Sequence, residues 1–170
     1  MSRANRARAA VAAMGVAAAL LFPMRLSAAP LTLAVADFDY IDTSGEAKDQ
    51  RAAHQARMAQ FAELLRAKLG AQGDFRVLPL ECAEPPCTPI NMQPDKFITA
   101  SRRSGARFVV YGGIHKISTL VQWGDVQLLD LEADKVLFRQ NVTFRGDTDE
   151  AFSRAADFVG ESVRDAVEKM

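Results

Sequence analysis

The chain has 170 residues and carries 21 Lys or Arg residues against 21 Asp or Glu residues, so its formal net charge is zero. This length suggests a single domain with one hydrophobic core. Because positive charge is not in excess, the composition offers no electrostatic footprint for nucleic acid or for an anionic lipid surface.

The amino terminus has the pattern of a secretory signal peptide, which we assign to residues 1–29. A basic head with three arginines precedes an apolar run of 14 residues, Ala9 to Phe22, and small residues follow at 27–29. The run is too short to span a bilayer comfortably, so we expect Sec-dependent export to the periplasm and cleavage near Ala29.

The same segment predicts a mature domain without a membrane anchor. No Cys lies near the cleavage site, and no consecutive Arg pair precedes the apolar run, so neither a lipid anchor nor twin-arginine export is expected. Cleavage removes four arginines and leaves residues 30–170 mildly acidic, with 17 basic and 21 acidic residues.

An apolar strand followed by an acidic loop is the most informative stretch of the mature chain. Leu31 to Ala36 is short, apolar and β-prone, which is typical of a strand covered on both faces. The residues that follow it include candidate ligands: Asp37, Asp39, Asp42, Thr43 and Ser44. In open α/β sheets ligands bind beyond the carboxyl ends of strands, so we interpret these residues as a candidate binding loop.

The rest of the chain alternates helix-like and strand-like periodicity. The predicted helices are Gln50 to Leu69, about Asp95 to Ser104, and about Thr148 to Glu168. The predicted strands are Phe75 to Leu80, Phe108 to Ile117, Val126 to Leu131 and Val136 to Phe144. Two glycines inside the third strand, Gly112 and Gly113, indicate a bulge or a close backbone approach.

This order predicts an α/β fold with α+β character, β-α-β-α-β-β-β-α, in one domain of two or three layers with a mixed five-stranded sheet. Helical crossovers make the first three strands parallel, and two hairpins reverse the fourth strand and restore the fifth. Strands one, two, three and five then end at one edge, which gathers the segments 37–46, 82–87 and 146–150. Asp147, Thr148 and Asp149 therefore join the candidate binding residues.

Cys82 and Cys87, in CAEPPC, are the only cysteines and predict a structural disulfide in an oxidising compartment. The small ring is worth roughly 2 kcal/mol on the loop-entropy estimate. A redox-active pair is the alternative, but the spacing is not C-x-x-C and the Pro-Pro step indicates a stiff loop. A metal site would need two further ligands, and the chain has only His54 and His115.

The acidic segments leave several interpretations open. Three carboxylates near the first strand suit a hard divalent cation such as Ca²⁺ or Mg²⁺. Thr43-Ser44-Gly45 could bind an anion through backbone N–H groups. Asx turns explain one or two of the aspartates, and Asp147 with Glu150 resembles a capping box for the last helix.

A phosphatase is the catalytic alternative. Asp37-Phe38-Asp39 after an apolar strand resembles the D-x-D opening of haloacid-dehalogenase-type phosphatases, in which one Asp attacks phosphorus and the other is the acid/base. Gly146 to Asp149 would then supply the late metal-binding acids. Ile41 replaces the expected hydroxyl or valine residue, however, and no cap domain or lysine motif is evident.

Four segments resemble a domain-of-unknown-function family of predicted secreted bacterial proteins: LAVADFDYIDTSGE, AELLRAKLGAQGDFRVL, GARFVVYGGIHKIS and RQNVTFRGDTDEAF. The layout is also similar to the amino-terminal domain of TolB and to CsgG-like envelope proteins, which are α/β binding or assembly modules. The resemblance implies no catalytic residues. It also implies a link to periplasmic quinoprotein alcohol oxidation, because family members are encoded near such genes.

The sequence therefore predicts a non-catalytic periplasmic binding or accessory module for a partner protein or a small ligand, without nucleic acid. No cofactor is expected, although a divalent cation is compatible with the acidic loop. The alternative is a small metal-dependent phosphatase or hydrolase that uses Asp37 and Asp39.

Overall fold

A computed structural model describes residues 29–71 and 73–170, so the predicted signal peptide lies outside the described residues except for Ala29. The strands are β1 Leu31–Asp42, β2 Phe75–Leu78, β3 Phe108–Lys116, β4 Val121–Asp130 and β5 Lys135–Arg145. The helices are α1 Arg51–Gly70, α2 Pro89–Met92, α3 Pro94–Arg103 and α4 Asp149–Glu168. None of the helices within these residues has both the length and the hydrophobicity of a membrane span.

The five strands form one mixed sheet in the order β2-β1-β3-β4-β5. Strand β1 is parallel to both β2 and β3, whereas β4 is antiparallel to β3 and to β5. The predicted single domain and mixed sheet are confirmed. The direction of the strands also confirms that β1, β2, β3 and β5 end at the same edge.

The two faces of the sheet are covered unequally. Helices α1 and α4 pack on one face, where Phe61 lies between Phe38 and Phe152 at ring-centroid distances of 4.9 and 6.2 Å. On the other face Phe97 of α3 packs against a smaller cluster that includes Val109. Among the described residues, that second face is therefore covered only toward the amino ends of the parallel strands.

Strand β1 is twice as long as the sequence predicts, and this corrects the placement of three candidate residues. Asp37, Asp39 and Asp42 lie inside the strand and not in a loop beyond it. A bulge between Val35 and Phe38 interrupts the pairing with β3, which then continues as far as Asp42. Pairing with the long β3 overrides the low strand propensity of Asp, so the loop begins only at residue 43.

The structure differs from the sequence prediction in two smaller respects: one strand includes polar and small residues, and a Pro-rich segment forms a short helix. Strand β4 begins at Val121, five residues before the predicted start, and Pro89–Met92 forms a short helix that the sequence did not predict. The predicted close approach at Gly112 is confirmed, because a Cβ atom there would overlap the carbonyl oxygen of Asp125.

Candidate functional site

Two of the predicted acidic segments meet at a histidine on the first turns of α1. His54 Nδ1 lies 3.7 Å from a carboxylate oxygen of Asp42, at the end of β1. His54 Nε2 lies 3.2 Å from a carboxylate oxygen of Asp147, which follows β5. The shared edge thus brings together side chains that are 105 positions apart in the sequence.

Asp147 is the centre of this arrangement. One of its oxygens accepts a hydrogen bond from Lys116 Nζ at 2.9 Å, and the other accepts a bond from the Arg57 guanidinium. Lys116 also donates to Glu46 at 2.8 Å, and its side chain is only 1% exposed. We call the six residues Asp42, Glu46, His54, Arg57, Lys116 and Asp147 the edge cluster.

The pairing of charges in the edge cluster governs its protonation. Burial alone would raise the pKa of Asp147, but hydrogen bonds from Lys116 and His54 and the charge of Arg57 lower it below its ordinary value. Burial alone would lower the pKa of Lys116, but its bonds to Glu46 and Asp147 raise it. At neutral pH the lysine is therefore a cation and Asp147 an anion, each satisfied by the other.

The loop between β1 and α1 is held against this cluster. Thr43 donates its backbone N–H to the carbonyl of Lys116 at 2.9 Å, and its hydroxyl lies 2.8 Å from His115 Nε2. The backbone N–H of Ser44 donates to the Asp42 carboxylate at 2.8 Å, and hydrogen bonding from Ser44 lowers the pKa of Asp42. The Asx turn expected at one aspartate is therefore formed by Asp42.

Tyr40 joins the cluster to the sheet. Its ring packs against the His54 ring with centroids 4.4 Å apart, and its hydroxyl donates to Gln122 at 3.3 Å. Gln122 in turn donates to the carbonyl of Gly146 at 3.1 Å. Burial and the nearby charges of Asp147 and Asp42 raise the pKa of Tyr40, so its hydroxyl stays protonated and serves as a donor.

An open cleft of about 910 Å³ lies beside the edge cluster, and we call it the edge cleft. The loop after β1, the amino-terminal half of α1 and the disulfide loop form its walls. The lining is partly apolar, with Tyr40, Met58, Pro85 and Pro86, and partly charged. A site of this size and mixed lining suits a peptide segment or a small molecule.

The structure separates the other predicted residues from this cluster. The Asp37 carboxylate accepts bonds from Arg66 at 3.0 Å and from the backbone N–H of Cys87 at 2.8 Å. Asp39 accepts a bond from the hydroxyl of Thr88 at 2.7 Å and lines both the edge cleft and a smaller pocket formed with β3 and β4. Alternation along β1 sends Asp39 and Asp42 to opposite faces, which the prediction of a common loop did not anticipate.

The start of α4 differs from the predicted capping box. Thr148, and not Asp147, is the N-cap residue, and its hydroxyl accepts a bond from the backbone N–H of Ala151 at 3.3 Å. Asp149 is exposed, and one of its carboxylate oxygens lies 3.4 Å from Arg57. Because Thr148 caps the helix, the Asp147 side chain is free to turn inward toward Lys116.

Cys82 and Cys87 form the predicted disulfide, with their Cα atoms 5.7 Å apart. The loop that they close contacts β1 through the Asp37 backbone N–H, which donates to the carbonyl of Cys87 at 3.2 Å. The cysteines thus fix one wall of the edge cleft.

Within residues 29–71 and 73–170, no group of three or more His, Cys, Asp or Glu side chains is arranged to hold a metal ion. The carboxylates of Asp42 and Asp147 instead surround the nitrogens of His54, Arg57 and Lys116. The chain therefore supplies its own cations at this edge. Such a site can recognise a ligand by shape and hydrogen bonding.

The sequence analysis missed Lys116, Arg57 and Glu46. The signal for Lys116 was present, because it continues the alternate positions Val110 and Ile114, both of which face the core under α1. A lysine on the core side of a strand requires buried counter-charges. Arg57 and Glu46 carried no comparable signal, since charged residues are common in a helix and a loop.

Residues 31–162 match the family DUF3280, described as "Protein of unknown function (DUF2380)". No curated protein matches the chain. TolB from Acinetobacter baumannii has a similar structure, with a TM-score of 0.52 and 14% identity over 81% of this chain, which spans only 28% of the TolB chain. A PelC dodecamer from Paraburkholderia phytofirmans gives a TM-score of 0.52 and 15% identity over 79% of this chain and 89% of that one. At these identities the likeness shows a shared fold.

Proposed function

The chain belongs to the DUF3280 family of proteins of unknown function, and we propose that it is a non-catalytic periplasmic module that binds a partner protein or a small ligand in the edge cleft. Residues 1–29 act as the signal peptide in this proposal, and residues 30–170 form the exported module. The gene-neighbourhood expectation makes a component of periplasmic quinoprotein alcohol oxidation the first partner to test.

The observation that carries the proposal is the pairing of opposite charges within the edge cluster beside an open cleft. Lys116 is protonated and bonded to two carboxylates, so it is not a nucleophile. Both ring nitrogens of His54 face carboxylates. The cleft therefore lies beside charges that are already paired with one another and offers about 910 Å³ of space, which favours recognition over chemistry.

The phosphatase alternative fits this geometry less well. The candidate nucleophile Asp37 has both carboxylate oxygens engaged, one by Arg66 and one by the backbone N–H of Cys87. Asp39 lies on the other face of the sheet from Asp147. Phosphatase assays across a Mg²⁺ and Ca²⁺ titration test this alternative, and metal-dependent turnover that is lost in Asp37→Asn would establish it.

A blocking substitution tests the binding proposal. Ala59 is exposed on α1 and lines the edge cleft, whereas Ala67 is exposed on the same helix away from it. Ala59→Arg fills the cleft with a long side chain at a helix position that tolerates Arg. We expect it to abolish recovery of the partner from periplasmic extract and complementation of a deletion strain, without a change in melting temperature.

Ala67→Arg is the matched control and is expected to retain both activities. If Ala59→Arg behaves like Ala67→Arg in both assays, the edge cleft is not the binding site and the proposal is wrong.

A further inference from the structure

The face of the sheet opposite α1 and α4 contains a second, smaller site. Beyond the part covered by α3, the sheet is open and forms a pocket of about 310 Å³, which we call the sheet pit. Its principal lining residues are Asp39, Ile41, Tyr111, Gly113, Trp123 and Asp125. The sheet pit does not include His54, Lys116 or Asp147, although Asp39 also lines the edge cleft.

A glycine forms the floor of the sheet pit. Gly113 pairs with Asp39 on one side and with Asp125 on the other. A Cβ atom on Gly113 would lie 3.4 Å from the Cβ atom of Asp39, so any side chain there would press on the carboxylate-bearing residue and occupy the pit. The missing side chain leaves a space between two carboxylates that come from neighbouring strands.

The two carboxylates differ in their partners. Both carboxylate oxygens of Asp125 accept hydrogen bonds from Arg139, at 3.1 and 2.7 Å, although the Arg139 side chain is 68% exposed. Asp39 accepts one hydrogen bond, from the fully buried Thr88, and forms no ion pair with any residue in the described ranges. Burial raises the pKa of Asp39, and the bond from Thr88 opposes the rise. A half-buried carboxylate without a counter-charge carries a cost that an external cation would remove.

Aromatic rings stand beside these carboxylates. Trp123 on β4 is paired with His115 on β3, and their ring centroids are 5.4 Å apart. Tyr111 donates its hydroxyl hydrogen to Gln127 at 3.0 Å. The hydroxyl of Tyr111 is thus occupied, and Tyr111 and Trp123 both line the pit. Carboxylates next to Trp and Tyr rings form the environment that binds guanidinium and ammonium groups through ion pairs and cation–π contacts.

The surface around the sheet pit is apolar. Four of the seven large exposed hydrophobic residues of the described chain lie at this end of the sheet: Ile41 at 50% exposure, Ile90 at 72%, Ile117 at 48% and Leu120 at 68%. Ile41 and Ile90 line the pit directly, and Ile117 and Leu120 form the hairpin next to it. A free metal ion or small amine would leave this apolar rim in water, whereas a polypeptide would cover it.

We propose that the sheet pit binds the side chain of an Arg or Lys residue of a partner polypeptide, whose flanking apolar residues cover Ile41 and Ile90. The cation enters between Asp39 and Asp125 and stacks on Trp123. This surface shares Asp39 with the edge cleft but contains no residue of the edge cluster, and the proposal does not require a ligand in the edge cleft.

Trp123 is the only tryptophan of the chain, so intrinsic fluorescence reports on the sheet pit directly. The probes are two acetylated and amidated pentapeptides, ALRLA and the same peptide with citrulline in place of Arg, which is similar in size but uncharged. We expect a saturable change in Trp123 emission with the Arg peptide, and binding about tenfold weaker with the citrulline peptide. Asp39→Asn should abolish the difference between the two peptides.

Asp74→Asn is the matched control, because it removes an exposed carboxylate that precedes β2 and lines neither the sheet pit nor the edge cleft, and it should retain the preference for Arg. Equal binding of both peptides, or no saturable change up to about 5 mM, would overturn the proposal. Concentration-dependent self-association that Asp39→Asn abolishes in sedimentation velocity would assign the pit to a second copy of the chain and would also overturn it.

Discussion

The edge cluster and the sheet pit each place carboxylates in a partly buried setting, but the sheet pit leaves one of its two carboxylates, Asp39, without a counter-charge among the described residues. In the edge cluster, Asp147 contacts Lys116, His54 and Arg57. In the sheet pit, Asp39 has a single neutral donor, Thr88. The same strand, β1, contributes to both regions, because alternate residues point to opposite faces.

The difference distinguishes carboxylates that stabilise the fold from carboxylates that are available to bind a ligand. A carboxylate whose pKa is lowered by its own protein's cations stabilises the fold, whereas one whose pKa is raised by burial costs stability that a ligand can return. Asp147 belongs to the first kind and Asp39 to the second. Substitutions at the two positions should therefore have opposite effects on the free energy of unfolding.

Removing the lysine should have the largest effect. Lys116→Met keeps the volume of the buried side chain but leaves Asp147 and Glu46 without their shared cation, and we expect a loss of about 3 kcal/mol in the free energy of unfolding. Urea denaturation at neutral pH measures this loss. Arg139→Met removes an exposed partner of Asp125 and should cost less than about 1 kcal/mol. Equal effects at the two positions would mean that Lys116 is not buried in a paired state.

Asp147→Asn should cost about 2 kcal/mol at neutral pH, because Lys116 and Arg57 lose a charged acceptor. The pKa of Asp147 is lowered in the folded protein, so its contribution is present above the ordinary pKa of 3.8 and is lost as the pH falls through the folded value. The gap between wild type and Asp147→Asn should narrow below about pH 4. Denaturation curves recorded across the acid range measure this difference in the free energy of unfolding. A difference that does not change with pH would contradict the pairing of Asp147 with Lys116 and Arg57.

Asp39→Asn should have the opposite sign. The pKa of Asp39 is raised, so ionisation costs stability as the pH rises through its folded value, and an amide that still accepts from Thr88 removes that cost. We expect a gain of up to about 1 kcal/mol at neutral pH that disappears where Asp39 is protonated. A loss of stability would show that Asp39 already has a cationic partner.

Asp42→Ala combined with Thr43→Ala should have the smallest effect on stability. Both residues are exposed, at the end of β1 and directly after it, and the Asp42 carboxylate lies 3.7 Å from His54, beyond the distance of a strong ion pair. We expect a change of less than about 1 kcal/mol, measured by thermal unfolding. The edge cleft should nevertheless bind its partner less well in this variant, so a stable protein that still complements a deletion would show that these two residues do not take part in binding.

The sequence was sufficient for the class of fold and for the convergence of Asp42 and Asp147. Both follow from local periodicity and from the rule that crossovers make strands parallel. It was not sufficient for the division of Asp39 from Asp42, which depends on the extension of β1 along β3 and on the bulge after Val35. Strand pairing over a sequence distance of more than 70 residues decides that extension, and local propensity opposes it.

The role of Lys116 could be predicted only in part from the sequence. The alternation of β3 predicts which face it occupies, but the acids that satisfy it come from a loop and from the segment before α4. The choice of Thr148 over Asp147 as the N-cap decides whether Asp147 is available. Both residues are good caps, so the sequence alone leaves that choice open.

The carboxyl ¹³C chemical shifts of Asp39 and Asp147, followed by NMR through an acid titration of the mature domain, test the central contrast most directly. The account predicts that Asp147 titrates below the ordinary value of 3.8 and Asp39 above it. Addition of the ALRLA peptide should lower the midpoint of Asp39 alone, because the bound cation favours the ionised form. A midpoint for Asp39 at or below that of Asp147 would contradict the account.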